Sequence, residues 1–139
     1  MKIKFILCCF LIGSYGCKTN TLIHTSTPAN TIYKVAILYP NDEGKAFDLD
    51  YYIKKHMPMV AGLIGENLKF YEIDSGISGR TPDDKATYIA VGYFYVKDIA
   101  EYNKAIGANR DAVINDIKNY TSIKPIIQIS EVIYIGVNK

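Results

Sequence analysis

The chain is predicted to be an α+β domain with the element order β-α-β-β-α-β, and three features predict it. Four short runs are rich in β-branched and aromatic residues and are bounded by Gly, Pro, Asn or Asp. The first and third intervals between those runs carry apolar residues at helical spacing, whereas the second does not. Apolar residues make up 49% of the 139-residue chain and charged residues 22%, a balance that excludes a disordered polymer and leaves room for one ordinary domain.

Residues 31–40 (TIYKVAILYP) form the first strand, which Pro40 stops. Asp48 is a good N-cap for the helix that follows. Its apolar stripe is Leu49, Tyr52, Ile53, His56, Val60, Leu63 and Ile64, at offsets of 0, 3, 4, 7, 11, 14 and 15. Pro58 lies within this run. It removes a helical hydrogen bond and disfavours helical geometry at Met57, so a kink or restart is expected there. Gly65 closes the element. Residues 68–73 are the second strand, residues 75–85 a glycine-rich, charged loop, and residues 86–96 (ATYIAVGYFYV) the third strand. Asp98 caps a helix with Ile99, Tyr102 and Ile106 on one face. Gly107 is expected to interrupt it, before a second helical piece carrying Val113, Ile114 and Ile117. Residues 125–137 (PIIQISEVIYIGV) close the domain as the fourth strand. The order is that of the ferredoxin-like split βαβ fold, a four-stranded antiparallel sheet with two helices on one face.

Strand alternation adds a second prediction. In the first strand Val35, Ile37 and Tyr39 point one way and Ala36 and Leu38 the other. In the third, Ile89, Val91 and Tyr93 lie opposite Tyr88, Ala90 and Phe94. Both faces are apolar, yet two helices cover only one. A second copy related by a twofold axis is the simplest cover for the other, so a homodimer with sheets face to face is expected.

The segment ahead of the domain reads differently. Lys2 and Lys4 precede eight apolar residues (5–12), followed by the small residues Gly13, Ser14 and Gly16. A run that short cannot span a bilayer, which takes about 20 residues, so residues 1–16 are expected to be a signal peptide. Gly16-Cys17 resembles the lipobox of bacterial lipoproteins, although Ser14 stands where that motif prefers Leu. The resemblance implies lipidation at Cys17 and a location in the bacterial cell envelope; plain secretion or a periplasmic location is the alternative. Residues 17–30, dense in Thr, Ser, Asn and Pro, are expected to be a flexible tether. His24 lies in this tether, where a metal or catalytic role is not expected. All three cysteines fall within the first seventeen residues, which excludes a disulfide framework in the domain. The formal charge of +2 also belongs largely to this end: residues 31–139 hold thirteen basic and fourteen acidic residues, a net −1. Nothing in that balance points to nucleic acid.

The run FDLDYYIKKHMPMV (47–60), with Asp50, Tyr51, Tyr52, His56 and Pro58 at fixed spacing, and the run PIIQISEV (125–132) resemble the two ends of an EthD domain, named for ethyl tert-butyl ether degradation. The resemblance spans about residues 34–132. It departs at Lys118, where the family commonly has Pro. It implies the dimeric α/β-barrel form of the ferredoxin-like fold and an oxidoreductase-type activity. It further implies a cofactor-free protein acting on a small apolar or aromatic molecule held between helices and sheet.

His56 is the only histidine of residues 31–139 and lies on the helix stripe. With an unperturbed pKa of about 6.5 it is the candidate proton-transfer group; the alternative is an imidazole satisfied by a carbonyl at the Pro58 kink. Tyr52, one turn earlier on the same face, is the candidate assistant. Tyr39, Tyr93 and Phe94 are candidate substrate-binding residues, since aromatic side chains offer apolar walls and tyrosine a polar tip; core packing is the alternative for each. Tyr51 is expected to point to solvent or a partner subunit. Asp48 and Asp50 are read as a cap and a first-turn acid rather than a catalytic carboxylate pair. No Cys, His and carboxylate cluster has metal spacing. A rival reading keeps the same fold and pocket but makes the protein a non-catalytic, small-molecule-binding envelope lipoprotein.

Overall fold

The computed structural model describes residues 31–42 and 44–136. The expected signal peptide, tether and lipidated Cys17 lie outside the described residues. The strands are β1 (Tyr33–Pro40), β2 (Leu68–Ser75), β3 (Tyr88–Val96) and β4 (Ile126–Glu131). They form one four-stranded sheet in the order β2-β3-β1-β4, and every pairing is antiparallel. With helices in the two crossovers, this is the ferredoxin-like α+β fold that the periodicity predicts.

The β1–β3 register places Val35, Ile37 and Tyr39 opposite Phe94, Gly92 and Ala90. That set faces the helices: Val35, Tyr39, Ala90 and Phe94 share one buried cluster with Tyr52, Met57, Val60, Ile64, Tyr102, Tyr120 and Ile123. The other face presents Lys34, Ala36 and Leu38 opposite Tyr95, Tyr93 and Val91. β4 lies at the edge and is bare, with Ile126 and Ile127 more than half exposed (53% and 60%).

The first helical crossover is built in pieces. α1 (Leu49–Tyr51) begins at Asp48, whose carboxylate accepts from the Tyr51 amide at 2.9 Å. A π-helical turn, Tyr52–His56, follows; then come α2 (Met57–Ile64) and a 3₁₀ turn (Gly65–Asn67). The expected restart falls one residue ahead of Pro58: α2 opens at Met57, with the proline in its first turn. Met57 keeps helical dihedrals (φ −64°, ψ −42°), and its N–H reaches back five residues to the Tyr52 carbonyl. The wider turn lets the chain carry a proline without leaving the helix, where a strict α-register would have set the ring against the preceding turn.

The second crossover holds α3 (Ile99–Ala108) and α4 (Arg110–Ile117). Asp98 caps α3 through two backbone amides, at 2.7 and 3.0 Å. Gly107 does not interrupt the helix but lies inside α3. The break comes at Asn109, whose φ of −116° leaves the helical region. β4 is shorter than its apolar run. The ladder ends at Glu131 opposite Tyr33, with one further bond from the Val132 amide to the Ile32 carbonyl at 2.8 Å. Past that point Ile133, Tyr134 and Ile135 stand exposed.

Candidate functional site

The two crossovers are stitched together where the first helix begins and α4 ends. The Asp48 amide donates to the Tyr120 carbonyl at 2.8 Å, and the Thr121 hydroxyl donates to the Ala46 carbonyl at 2.8 Å. Phe47 and Thr121 form an isolated antiparallel bridge. These bonds lay the π turn alongside α4, and there the polar side chains of the two elements meet.

His56, 5% exposed, ends the π turn. Its Nδ1 lies 2.8 Å from Oδ2 of Asp116 in α4. Asp116 Oδ1 accepts from the Tyr51 hydroxyl and from the Asn119 amide, both at 2.8 Å. The Asn119 amide also reaches the Tyr51 oxygen at 3.1 Å. Four residues thus close a polar network at the rim of an aromatic core. Among the described residues no buried side-chain nitrogen or oxygen lacks a partner. The imidazole is bonded through Nδ1, and no hydrogen bond to Nε2 is made by the described residues.

Aromatic rings frame the imidazole. Tyr52 stacks on it with centroids 5.6 Å apart and planes 16° from parallel, and Tyr120 lies 4.7 Å away. Behind them the Tyr39 and Tyr120 hydroxyls share a hydrogen bond of 2.6 Å, and Phe47 packs edge-on against Tyr39, Tyr52 and Tyr120. The Tyr52 hydroxyl approaches β3 at Gly92, where a side chain would collide with it.

The electrostatics follow from burial. Loss of solvent pushes the His56 imidazolium below its ordinary 6.5, against the opposing pull of Asp116. Burial works to raise Asp116 as well, but hydrogen bonds from His56, Tyr51 and Asn119 hold it below its ordinary 3.8. Near neutrality the pair is a neutral imidazole beside a carboxylate. Burial raises Tyr39, Tyr52 and Tyr120, so these hydroxyls stay protonated. Among the described residues no group of three or more His, Cys, Asp or Glu side chains is disposed to hold a metal ion.

Of the residues singled out in the sequence, His56, Tyr52 and Tyr39 come together. Phe94 shares their face of the sheet, buried in the core and tilted against Tyr71 at 6.1 Å. Tyr93 does not join them: it lies on the opposite face, opposite Ala36, with the Lys34 ammonium 5.4 Å over its ring. Strand parity separates it from Phe94, so one pocket on one face cannot use both. Tyr51, expected at solvent or a subunit contact, is instead half-buried and tied to Asp116. The imidazole is satisfied by a carboxylate and not by a kink carbonyl. Asp48 and Asp50 behave as a cap and as an exposed partner of Lys54 at 2.6 Å. The sequence reading assigns no site role to Asp116, Asn119 or Tyr120. The signal was present: Val113, Asp116, Ile117 and Tyr120 are spaced 0, 3, 4 and 7, which puts an acid on an apolar stripe.

No protein-family profile matches the chain, and no curated protein does. Among solved structures, an EthD-like protein from Ralstonia eutropha is 33% identical and superposes with a TM-score of 0.72, over 74% of this chain and 93% of that one. An ethyl tert-butyl ether degradation (EthD) family protein from Bacillus halodurans superposes with a TM-score of 0.50 at 13% identity, over 75% of this chain and 100% of that one. The second likeness is one of fold.

Proposed function

The chain belongs to the EthD-like family, and from that premise we propose that it is a cofactor-free, oxidoreductase-type enzyme in which His56 exchanges a proton with a small apolar or aromatic compound held between helices and sheet. One observation carries the reading: His56 Nδ1 is engaged by Asp116 at 2.8 Å while Nε2 has no hydrogen-bond partner among the described residues. A neutral imidazole with one nitrogen occupied and the other free is arranged as a general base. The proton it would take is that of a phenol, quinol or enol. Its removal leaves an electron-rich oxyanion, the form that yields electrons to dioxygen, the co-substrate of this reading, so that a quinol gives quinone and hydrogen peroxide. The surrounding tyrosines supply apolar walls, and those of the aromatic core stay protonated, which makes them hydrogen-bond donors rather than competing bases. Tyr52 contributes its ring face to the imidazole, its hydroxyl being turned toward the sheet.

Hydroquinone and 1,4-naphthohydroquinone are suitable first probes, with oxygen uptake read for turnover and native mass spectrometry for binding. Loss of a general base costs about 10²–10⁴-fold in rate, so His56→Gln and His56→Ala should lose turnover by that factor while the thermal transition of His56→Gln stays near wild type. Wild-type binding without turnover across a wider phenol panel would favour the rival reading, a non-catalytic binding module. A large loss of melting temperature in both variants with unchanged turnover would leave His56 only a packing role.

The same reading includes a partner and an address. A second copy is proposed to cover the sheet face turned away from the helical core, where the register sets Ala36, Leu38, Val91 and Tyr93. Cys17 is proposed to carry a lipid that anchors the domain in the bacterial envelope. Incorporation of labelled palmitate, abolished by Cys17→Ser, would support the anchor; its absence in the parent chain would refute it.

A further inference from the structure

Asp116 lies outside both sequence runs that resemble the family, in a different crossover from His56, and the structure joins the two. We propose that Asp116, clamped by Tyr51 and Asn119, is a positioning residue that fixes the His56 imidazole as the Nδ1–H tautomer and so delivers Nε2 as the proton acceptor. The proposal rests on the reading of His56 as the proton-transfer group.

An ionised carboxylate only accepts hydrogen bonds, so every neighbour of Asp116 must donate. The Asn119 amide does so at 2.8 Å and the Tyr51 hydroxyl at 2.8 Å, both to Oδ1. The Asn119 amide also bonds the Tyr51 oxygen, which accepts because its own proton is committed to Asp116. That leaves Oδ2 for His56, and Nδ1 must carry the proton across the 2.8 Å contact. A neutral imidazole has one N–H, so Nε2 holds the lone pair. The clamp also sets direction. With Oδ1 held from two sides, the carboxylate cannot rotate away from the ring, and the π turn holds the ring from the other side. The titratable groups facing the imidazole are Asp116 from α4, Tyr51 from α1, Tyr52 from its own turn and Tyr120 just past α4. Burial keeps Tyr52 and Tyr120 protonated, and the hydrogen bond to Asp116 does so for Tyr51. Across the range where His56 titrates, Asp116 is therefore, among the described residues, the charge in direct contact with it.

The chain has two histidines, so nitrogen-15 NMR of the full-length chain labelled at histidine gives a spectrum that a His56→Gln control assigns. The wild-type ring should show a protonated-type Nδ1 and an unprotonated-type Nε2 at neutral pH. In Asp116→Asn the amide can turn its NH₂ toward the ring, so the tautomer should become mixed or reversed, and the His56 titration should move to lower pH. Tyr51→Phe should keep the wild-type tautomer, because Asp116 still accepts from Nδ1. An Nε2–H tautomer in the wild-type protein would overturn the proposal without any variant. So would an Asp116→Asn spectrum identical to wild type, provided the circular dichroism of both is the same. Positioning and catalysis separate in the outcome. A tautomer that shifts with Asp116 while quinol turnover does not would uphold the clamp and sink the role of His56 in proton transfer.

Discussion

Gly92 is the smallest residue of the core and one of its more constrained positions. It sits mid-strand in β3, where a side chain would meet the Tyr52 hydroxyl and lie 3.1 Å from the Met57 methyl. Glycine weakens a strand on entropic grounds, so its presence there reflects the close approach of the helix. Gly92→Ala should cost about 1–3 kcal/mol, the range for overpacking a filled interior, read as a lower urea midpoint with an unchanged slope. A variant as stable as wild type would mean that Tyr52 does not sit against β3. Asp116 makes the complementary case at this scale. Its place on the stripe of Val113, Ile117 and Tyr120 was legible, but an acid on an apolar stripe has several possible explanations. Only its contact with His56, 60 positions away in sequence, gives it a purpose.

At the scale of the element, the π turn decides which side chains of the first helix are buried. Strict α-spacing puts Ile53 on the core stripe and leaves Met57 off it. One extra residue per turn exchanges them: Met57 is 1% exposed and Ile53 42%. The helix thereby brings Tyr52, His56 and Met57 onto one face ahead of Pro58. Met57→Ala should therefore cost about 2–5 kcal/mol, as for other large-to-small core changes. Ile53→Ala should stay within about 0.5 kcal/mol, as surface substitutions do. Chemical denaturation of the two variants side by side tests the register directly, since an α-helical register reverses their order. Caps and stops at Asp48, Gly65 and Asp98 were readable because they act within a few residues of themselves. The π turn was not, because proline announces a disturbance without saying whether the helix breaks, kinks or widens.

At the scale of the whole molecule, the helical core occupies one sheet face and β4 forms an exposed edge, while on the other face Ala36 and Val91 are only 7% and 9% exposed. Leu38, Val91 and Tyr93 lie there beside Ala36, and the charged residues Glu72, Asp74 and Lys34 share the same face. If a second copy covers it, Leu38→Glu should convert a dimer to a monomer in analytical ultracentrifugation while the circular dichroism of the domain persists. A wild-type protein that sediments as a monomer at micromolar concentration would remove the dimer from the account. The exposed Ile133, Tyr134 and Ile135 just past β4 add to the apolar surface that such an association would draw on.

The order of elements, the strand faces and the helix caps follow from the residues alone, as does the attention drawn to His56 by its solitary place on an apolar stripe. All of these rest on period and local chemistry, which act over a turn of helix or a pair of strand residues. The tertiary structure alone decided that Asp116 meets His56, that Tyr51 bonds and holds it, and that the first helix widens at Tyr52–His56. Each of these depends on how one crossover lies against the other or against the sheet. That placement is set by the packing of the whole aromatic core, not by any local run of residues.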